Sequence, residues 1–244
     1  PAALDRLVGP AVGAAEVIAR DWLAGVGKRW RPFLTVAVYQ ALRDDPEEPV
    51  GEAVMMLAVA VECFHKASLI HDDIMDAAPI RRGQATVHER WNANIAILSG
   101  DVLLVQAYEQ LAKYDSSTFH ALFNVFNKTA IEVCEGQQMD MDFELRNEVS
   151  EAEYLEMIRL KTSVLLGCAL QMGGIVGGAT QKDAALLYSF GEELGLAFQI
   201  QDDILDLYGD TAQVGKQIGG DVLANKKTLL SISAKKVADN TQLQ

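Results

Sequence analysis

The stretch Leu69-Ile70-His71-Asp72-Asp73-Ile74-Met75-Asp76 places three carboxylates inside an apolar run. Residues four apart lie on one face of an α-helix, so Asp72 and Asp76 are predicted to stack one turn apart, with Asp73 beside them. Three carboxylates this close repel one another unless a cation lies over them, and hard oxygen ligands suit Mg²⁺. The stretch therefore predicts a helix that carries a metal site.

The same arrangement returns near the other end of the chain as Gln201-Asp202-Asp203-Ile204-Leu205-Asp206. Because 130 residues separate Asp72 from Asp202, the two clusters must belong to different helices. Two acidic helical clusters that face each other would form a multi-metal site for a polyphosphate.

The composition indicates an ordered, mostly helical protein. The chain has 244 residues, of which 50% are hydrophobic and only 6 are proline. A formal net charge of −13 argues against nucleic acid or an anionic membrane surface as the main partner. The same charge means that a diphosphate would bind only with metal ions or local basic residues. No stretch rich in Pro, Gly or Ser divides the chain, so residues 1–244 are predicted to form a single domain.

A cytoplasmic location is the expectation from the cysteines and the apolar runs. The three cysteines are dispersed and lack metal-ligand spacing, which is typical of a reduced, intracellular protein. The N-terminal residues show no basic region followed by an apolar run. The longest apolar stretch, Leu165 to Ala179, is interrupted by Gln171 and several glycines, so no integral membrane segment is predicted.

Apolar residues recur with a helical period throughout, and no alternating strand pattern of consequence is present. We therefore predict an all-α fold, in which the helix leading from Gly51 to the first acidic cluster is apolar on most sides and central. Other predicted features are a cap at Ser99-Gly100-Asp101 before a helix over Val102–Tyr114, caps at Ser116 or Ser117 and at Ser150, a helix over about Asp183–Tyr208, and a helix from Asp221 onwards.

Basic residues stand in short motifs between these helices. Gly27-Lys28-Arg29-Trp30-Arg31-Pro32 puts three cations at a helix start, where free N–H groups already favour anions. Arg81-Arg82-Gly83 follows the first acidic cluster, and Lys161-Thr162, Gly215-Lys216 and Lys226 follow later. A solvated basic turn is the alternative interpretation of the first motif.

With these motifs in this order, the sequence resembles the trans-isoprenyl diphosphate synthases, or polyprenyl synthetases, and within them bacterial geranylgeranyl or longer-chain synthases. The resemblance covers essentially the whole chain. It implies a bundle of long, mostly antiparallel helices around a central cavity, usually as a homodimer. It also implies a Mg²⁺-dependent prenyltransferase that condenses isopentenyl diphosphate head-to-tail with an allylic diphosphate.

The resemblance also implies roles for individual residues. Two Mg²⁺ would be bound by Asp72, Asp73 and Asp76, and a third by Asp202 with Asp203 and Asp206 around it. The allylic diphosphate would be contacted by Arg81, Lys161, Gln199, Lys216 and Lys226. Isopentenyl diphosphate would be held by Lys28, Arg31, His65 and Arg82, while Thr162 and Gln137 would line the reacting end. His65 as a packed histidine and Gln137 as an ordinary helix-surface residue are the alternatives.

Product length is set in this family by side chains one turn before the first acidic cluster. Here these are Ala67 and Ser68, both small, and Phe64 is the first large side chain beyond them. The prediction is a product of about twenty carbons or longer, with Phe64 as a possible floor of the tunnel.

Other functions compete with this interpretation. A farnesyl diphosphate synthase would differ in product length only. A terpene cyclase would lack the second Asp cluster and the isopentenyl diphosphate cations, and a non-catalytic subunit of a heteromeric synthase would usually lose one acidic cluster. The chain is short for the family after Thr228, which leaves missing terminal segments, true truncation and an engineered chain as open explanations.

Overall fold

The structure, a computed structural model, describes residues 6–25, 27–45, 48–209, 219–223 and 225–238, and these are overwhelmingly helical. The prediction of an all-α fold is confirmed. In chain order the helices are α1 (Ala14–Ala24), α2 (Trp30–Ala41), α3 (Glu52–Met75), α4 (Val87–Arg90), α5 (Ala93–Leu111), α6 (Ser116–Glu144), α7 (Glu151–Ile158), a π-helical turn (Arg159–Ser163), α8 (Val164–Val176), α9 (Gln181–Tyr208), α10 (Gly220–Leu223) and α11 (Leu229–Val237).

The chain divides into two compact units. The first comprises Pro1–Asn127 and Gly167–Ser189, and the second comprises Lys128–Leu166 and Phe190–Gln244. The first acidic cluster therefore belongs to the first unit, and the second acidic cluster belongs to the second. The single domain and its central cavity stay predictions.

Helix α3 is the central element of the first unit, as its sequence predicts. It packs mainly against α5 and α2, and its buried apolar side chains point to all sides, among them Val54, Leu57 and Val61, each 0% exposed. Burying each such side chain stabilises the fold by roughly 1.5–3 kcal/mol. The helix that carries the first acidic cluster is thus held rigidly along most of its length.

Helix α3 ends within the first acidic cluster. Asp76 is its C-terminal cap, and Ala77 follows in the left-handed region with a φ of 48°. A short antiparallel hairpin then pairs β1 (Ile80–Arg81) with β2 (Gln84–Ala85). Its two-residue turn, Arg82-Gly83, has φ values of 53° and 75°, as a type I′ turn requires. Arg81 thus lies in a strand while Arg82 lies in the turn.

The second unit has its own apolar core. Phe143, Val149, Tyr154, Met157, Ile158 and Ile232 are buried together, with Leu196, Ile200 and Leu229 against them. The predicted cap at Ser150 is confirmed: its hydroxyl accepts the N–H of Glu153 at 3.2 Å, while the Glu153 carboxylate accepts the Ser150 N–H at 2.9 Å. This capping box fixes the start of α7.

Three predicted helix starts are wrong. Asn92, not the Ser99 segment, caps α5 by accepting the Ile95 N–H at 2.9 Å. Ser99 instead lies inside that helix, where it is fully buried and its hydroxyl donates to the Ala15 carbonyl oxygen. Asp115, one residue before the predicted serine cap, accepts the N–H groups of Ser117 and Thr118 at the start of α6.

The third wrong start concerns the C-terminal helix. Instead of one helix from Asp221, the short α10 ends at Leu223, and Asn225 takes a positive φ of 56°. Thr228 then caps α11 by accepting the Ser231 N–H at 3.3 Å. The interruption leaves Lys226 and Lys227 between two helices rather than on a helix face.

Within the part of the chain that the structure describes, one helix has the length and hydropathy of a membrane span. This is α3, and 61% of its most apolar window is buried inside the protein. The buried core helix of a folded unit passes the same test of length and composition. The apolar stretch that stood out in the sequence, Leu165 to Ala179, does not pass it.

Candidate functional site

Arg81 contacts both neighbouring carboxylates of the first acidic cluster. Its Nη2 donates to Asp72 Oδ2 at 2.8 Å, and its Nε donates to Asp73 Oδ1 at 2.6 Å. Burial lowers the pKa of Arg81, but the attraction of Asp73 and Asp72 outweighs it and raises the pKa. The structure thus brings together Asp72, Asp73 and Arg81, with Asp76 exposed at the helix end.

The first acidic cluster is suited to binding a cation, because one of its buried carboxylate oxygens has no donor among the described residues. Asp73 is 1% exposed, and burial raises the pKa of its carboxyl to about 6 against the opposing attraction of Arg81. Its second oxygen, Oδ2, is buried and accepts no hydrogen bond from the described residues. A buried carboxylate oxygen without a donor is costly unless a positive charge faces it. Asp72, Asp73 and Asp76 are therefore suitable ligands for Mg²⁺.

A second group of the first unit is basic. Arg31 Nη1 lies 3.2 Å from His65 Nε2, and since arginine can only donate, His65 Nε2 is the acceptor. Burial lowers the pKa of His65 well below its usual value, and the charges of Arg31 and Lys66 lower it further, so the ring is neutral. Burial also lowers the pKa of Arg31 to about 10. These two predicted ligands of isopentenyl diphosphate therefore act as one hydrogen-bonded pair.

Arg29 has a structural role, in line with its omission from the predicted ligands. Its guanidinium pairs with Glu62 and donates to the carbonyl oxygens of Leu23 at 2.6 Å and Gly25 at 2.8 Å. These bonds tie the end of α1 to α3. Arg29 takes a left-handed φ of 53° just before α2, and Lys28 beside it is exposed.

The side chains predicted to set product length lie on α3. Phe64 is 6% exposed and contacts Phe126 edge to face, with ring centroids 5.3 Å apart. Ala67 is 3% exposed, and the Ser68 hydroxyl donates to the His65 carbonyl oxygen at 2.9 Å. Phe64 is therefore fixed by aromatic packing, whereas the neighbouring positions are small.

In the second unit, protein donors hold part of the second acidic cluster. Asp203 is 4% exposed and accepts hydrogen bonds from Gln199 Nε2 at 3.0 Å and from the Tyr154 hydroxyl. Asp206 Oδ2 accepts the Asp221 N–H at 3.1 Å, which anchors α10. Asp202, directly before Asp203 in sequence, is half-buried. The cluster is thus oriented by contacts that its spacing does not reveal.

Asp140, which the sequence reasoning missed, joins two of the predicted diphosphate ligands. Its Oδ2 accepts from Lys161 Nζ at 2.7 Å and from Lys226 Nζ at 2.8 Å, and Lys226 also lies 2.7 Å from Glu144. Burial acts to raise the pKa of Asp140, but the two lysines outweigh it and lower the pKa. The feature of the sequence that could have identified Asp140 is its position, three residues after Gln137 on the same helix.

Replacing Asp140 by asparagine is expected to lower the free energy of unfolding by about 3 kcal/mol at neutral pH, because two lysines lose their shared counter-charge. The effect should shrink in acid. A carboxyl with a depressed pKa contributes stability above its unfolded pKa of about 3.9 and loses it as the pH falls through the folded value. Urea unfolding at several pH values measures this. Asp142→Asn, an exposed position on the same helix, is the matched control, and equal losses in the two variants would contradict the role of Asp140.

The predicted residues Thr162 and Gln199 are also brought together. The Thr162 hydroxyl donates to Gln199 Oε1 at 3.2 Å, which extends the hydrogen-bonded chain from Tyr154 and Asp203. Lys161 and Thr162 lie in the π-helical turn, a feature that often marks functional sites. Gly136 of α6 permits the close approach of this turn, since a Cβ there would lie 2.3 Å from the Lys161 backbone nitrogen.

Gln137 and Lys216 are the two remaining predicted substrate ligands. Gln137 is 9% exposed rather than a surface residue, and its Nε2 finds no acceptor among the described residues. Lys216 lies outside the described residues. Each unit therefore carries an acidic cluster and a group of basic side chains, and the basic side chains pair with residues, such as Glu62 and Asp140, that no motif indicates.

The class of protein that this fold and these clusters define is confirmed by comparison with known proteins. The polyprenyl synthetase family model matches residues 15–244. The chain belongs to the polyprenyl synthetase family.

Individual relatives agree with this assignment. The chain is 43% identical over 214 residues to the short chain isoprenyl diphosphate synthase of Methanocaldococcus jannaschii, covering 87% of this chain and 64% of that protein. It is 40% identical over 237 residues to the geranylgeranyl diphosphate synthase of Methanosarcina mazei, covering 96% and 71%. The chain thus spans less than two thirds of the length of the first of these relatives.

A solved structure shares the fold. The geranylgeranyl pyrophosphate synthetase of Pyrococcus horikoshii superimposes with a TM-score of 0.88 at 37% identity, covering 98% of this chain and 72% of that one. The predicted isoprenoid synthase type of helical fold is therefore confirmed.

Proposed function

We propose that this chain is a Mg²⁺-dependent chain-elongating prenyltransferase that condenses isopentenyl diphosphate with an allylic diphosphate. The observation that carries the proposal is the direction of two adjacent arginines in the first unit. Arg81 binds Asp72 and Asp73, whereas Arg82 reaches the group that contains Lys66 and the loop of Gly27. A reaction between two substrates that each carry a diphosphate needs a separate cationic group for each of them. The relatives' names support the same activity.

The proposed chemistry follows from the charges of these groups. Asp72, Asp73, Asp76 and the second acidic cluster would hold Mg²⁺, which we propose as three ions and which would supply positive charge to the diphosphate leaving group. Arg81, Lys161, Lys216 and Lys226 add fixed cations that stabilise the same developing charge. Arg31, His65, Arg82 and Lys28 hold the second substrate so that its double bond lies beside the allylic carbon. Apolar side chains such as Phe64 keep water from the cation.

We propose a product of about twenty carbons or longer, since Ala67 and Ser68 leave room beyond the reacting end. Two relatives named as geranylgeranyl synthases support this length. A relative from Natronomonas pharaonis named as a geranylfarnesyl diphosphate synthase, 36% identical, supports a longer product equally well. A bulky aromatic side chain at one of these small positions would stop growth at fifteen carbons.

Product analysis tests the proposed function. Purified protein with Mg²⁺ and isopentenyl diphosphate is supplied separately with dimethylallyl, geranyl and farnesyl diphosphate, and chain length is read by mass spectrometry after dephosphorylation. A synthase should release diphosphate only when both substrates are present. Release from the allylic substrate alone would indicate a cyclase, and no release with any pair would indicate a non-catalytic subunit.

We also propose that the protein is a cytoplasmic homodimer. The three cysteines are free, as in a reducing compartment. Leu98 and Val105, seven residues apart on α5, are 55% and 66% exposed, and an isologous interface with a second copy would cover them. The mass in solution measures this directly, and Val105→Glu is expected to give a monomer. A monomeric parent protein would rule out the dimer.

A further inference from the structure

The second unit contains a buried tyrosine whose hydroxyl group reaches the second acidic cluster. Tyr154 of α7 is 1% exposed and lies in the apolar core of that unit. Its hydroxyl donates a hydrogen bond to Oδ2 of Asp203, which is 4% exposed. The hydroxyl of a buried tyrosine usually finds a hydrogen-bond partner, and here that partner is a predicted metal ligand. None of the sequence motifs described above includes Tyr154.

Two donors together hold the Asp203 carboxylate in one orientation. Tyr154 donates to Oδ2, and Gln199 Nε2 donates to Oδ1 at 3.0 Å. Each carboxylate oxygen has about two acceptor positions, so each retains a further position beside its donor. Both donors are neutral, so they orient the carboxylate without cancelling its charge, which Asp202 and Asp206 also repel. A buried carboxylate held in this way is suited to a cation.

The hydrogen bonds continue from Asp203 to the π-helical turn. Gln199 lies one turn before Asp203 on α9, and its Oε1 accepts the Thr162 hydroxyl at 3.2 Å. The backbones approach closely at this point, since a Cβ on Gly195 would lie 2.5 Å from the Cα of Ser163. The hydrogen bonds to α7 and to the π-helical turn therefore hold α9 at two successive turns.

We propose that Tyr154 is a positioning residue for the second acidic cluster, where its hydroxyl orients Asp203 toward the metal-bound diphosphate of the allylic substrate. The proposal rests on the proposed function, because it concerns the third Mg²⁺ of that reaction. Tyr154 is almost fully buried, so it acts through Asp203 and not by touching the substrate. Removing a residue that hydrogen-bonds to a metal ligand typically costs about 10–100-fold in metal affinity or activity.

The test removes only the hydroxyl group. In the full chain, Tyr154→Phe is expected to raise KM for the allylic diphosphate, and the Mg²⁺ concentration for half-maximal rate, by about tenfold each. KM for isopentenyl diphosphate should stay within about twofold, because the predicted ligands of that substrate belong to the first unit. Tyr208→Phe, which changes a 79% exposed tyrosine of α9, is the matched control and should leave all constants unchanged. An equal rise in both KM values would contradict the proposal.

Binding without turnover gives a second readout. In the presence of Mg²⁺, calorimetric titration with inorganic diphosphate should show about tenfold weaker binding by Tyr154→Phe than by the parent. If the parent makes no product, the proposed function fails, whereas this difference in binding would still support the role of Tyr154. Equal binding by the two proteins would overturn that role, even if the variant has a lower thermal midpoint, because a loss of stability alone indicates packing.

A double-mutant cycle tests whether Tyr154 acts through Asp203. Asp203→Asn removes the charge that the tyrosine hydroxyl orients, so adding Tyr154→Phe to it should change diphosphate binding by less than about twofold. The double variant also keeps the test available if Tyr154→Phe alone unfolds, since it has no buried charge at position 203. A further tenfold loss in the double variant, relative to Asp203→Asn, would show that the two residues act independently and would refute the proposal.

Discussion

Asp72→Ala is expected to reduce the rate of condensation by about 10³-fold or more, because it removes a carboxylate on which the diphosphate-activating Mg²⁺ would be held. Asp202→Ala should act similarly in the second cluster. Folding should be little affected by Asp72→Ala, since Arg81 keeps its 2.6 Å bond to Asp73 and one like-charge repulsion disappears. Single-turnover rates at saturating Mg²⁺ and substrates measure the loss.

The matched control is Glu109→Ala, an exposed carboxylate on α5 of the same unit. It should leave the rate unchanged, and the thermal midpoints of all variants should lie within a few degrees of the parent. A rate near that of the parent in Asp72→Ala or Asp202→Ala would refute the assignment of that cluster as a metal site.

Ala67→Phe is expected to shorten the main product by at least one five-carbon unit. The position is 3% exposed on α3, one turn before the acidic cluster, so a phenyl ring there would occupy space that a growing chain needs. Phe64, the next large side chain, is already fixed against Phe126 and would no longer be the floor. Mass spectrometry of the dephosphorylated products gives the length directly.

Overpacking alone must be separated from this effect, since a larger side chain in a core costs about 1–3 kcal/mol. Ala58→Phe serves this purpose, because Ala58 is also buried but lies nine residues earlier, on the opposite side of α3. It should lower stability without changing product length. If Ala67→Phe leaves the product distribution as it is in the parent, the floor lies elsewhere.

The fold was predictable from sequence wherever the helical period and a turn signal agree. Helix α3, which leads from Gly51 to the first acidic cluster, and the cap at Ser150 are examples. The start of α5 was not predictable from its apparent cap, because Ser99 is buried by a distant contact with Ala15. A local signal cannot reveal that a small polar residue serves tertiary packing instead.

The sequence predicted those residues of the candidate site that belong to its motifs. The carboxylates and arginines of the first unit were identified, but their supporting partners were not, since Glu62 and Asp140 belong to no motif. Burial, together with nearby positive charges, lowers the pKa of His65, whereas two lysines lower the pKa of Asp140 against the effect of its burial. The sequence identifies the ionisable side chains, but the packing of the folded chain determines which of them lie close enough to form a hydrogen bond or an ion pair.

The hairpin of residues 80–85 has a consequence for how this protein tolerates change. Arg81 ends strand β1 opposite Gln84, and Arg82 begins the two-residue turn, so the register of the hairpin fixes the positions of both arginines. One residue inserted into or deleted from the turn would change this register and displace both arginines, even if every side chain in the segment were kept. The length of this segment is therefore constrained as well as its composition, because a change of one residue would separate Arg81 from the carboxylates of Asp72 and Asp73.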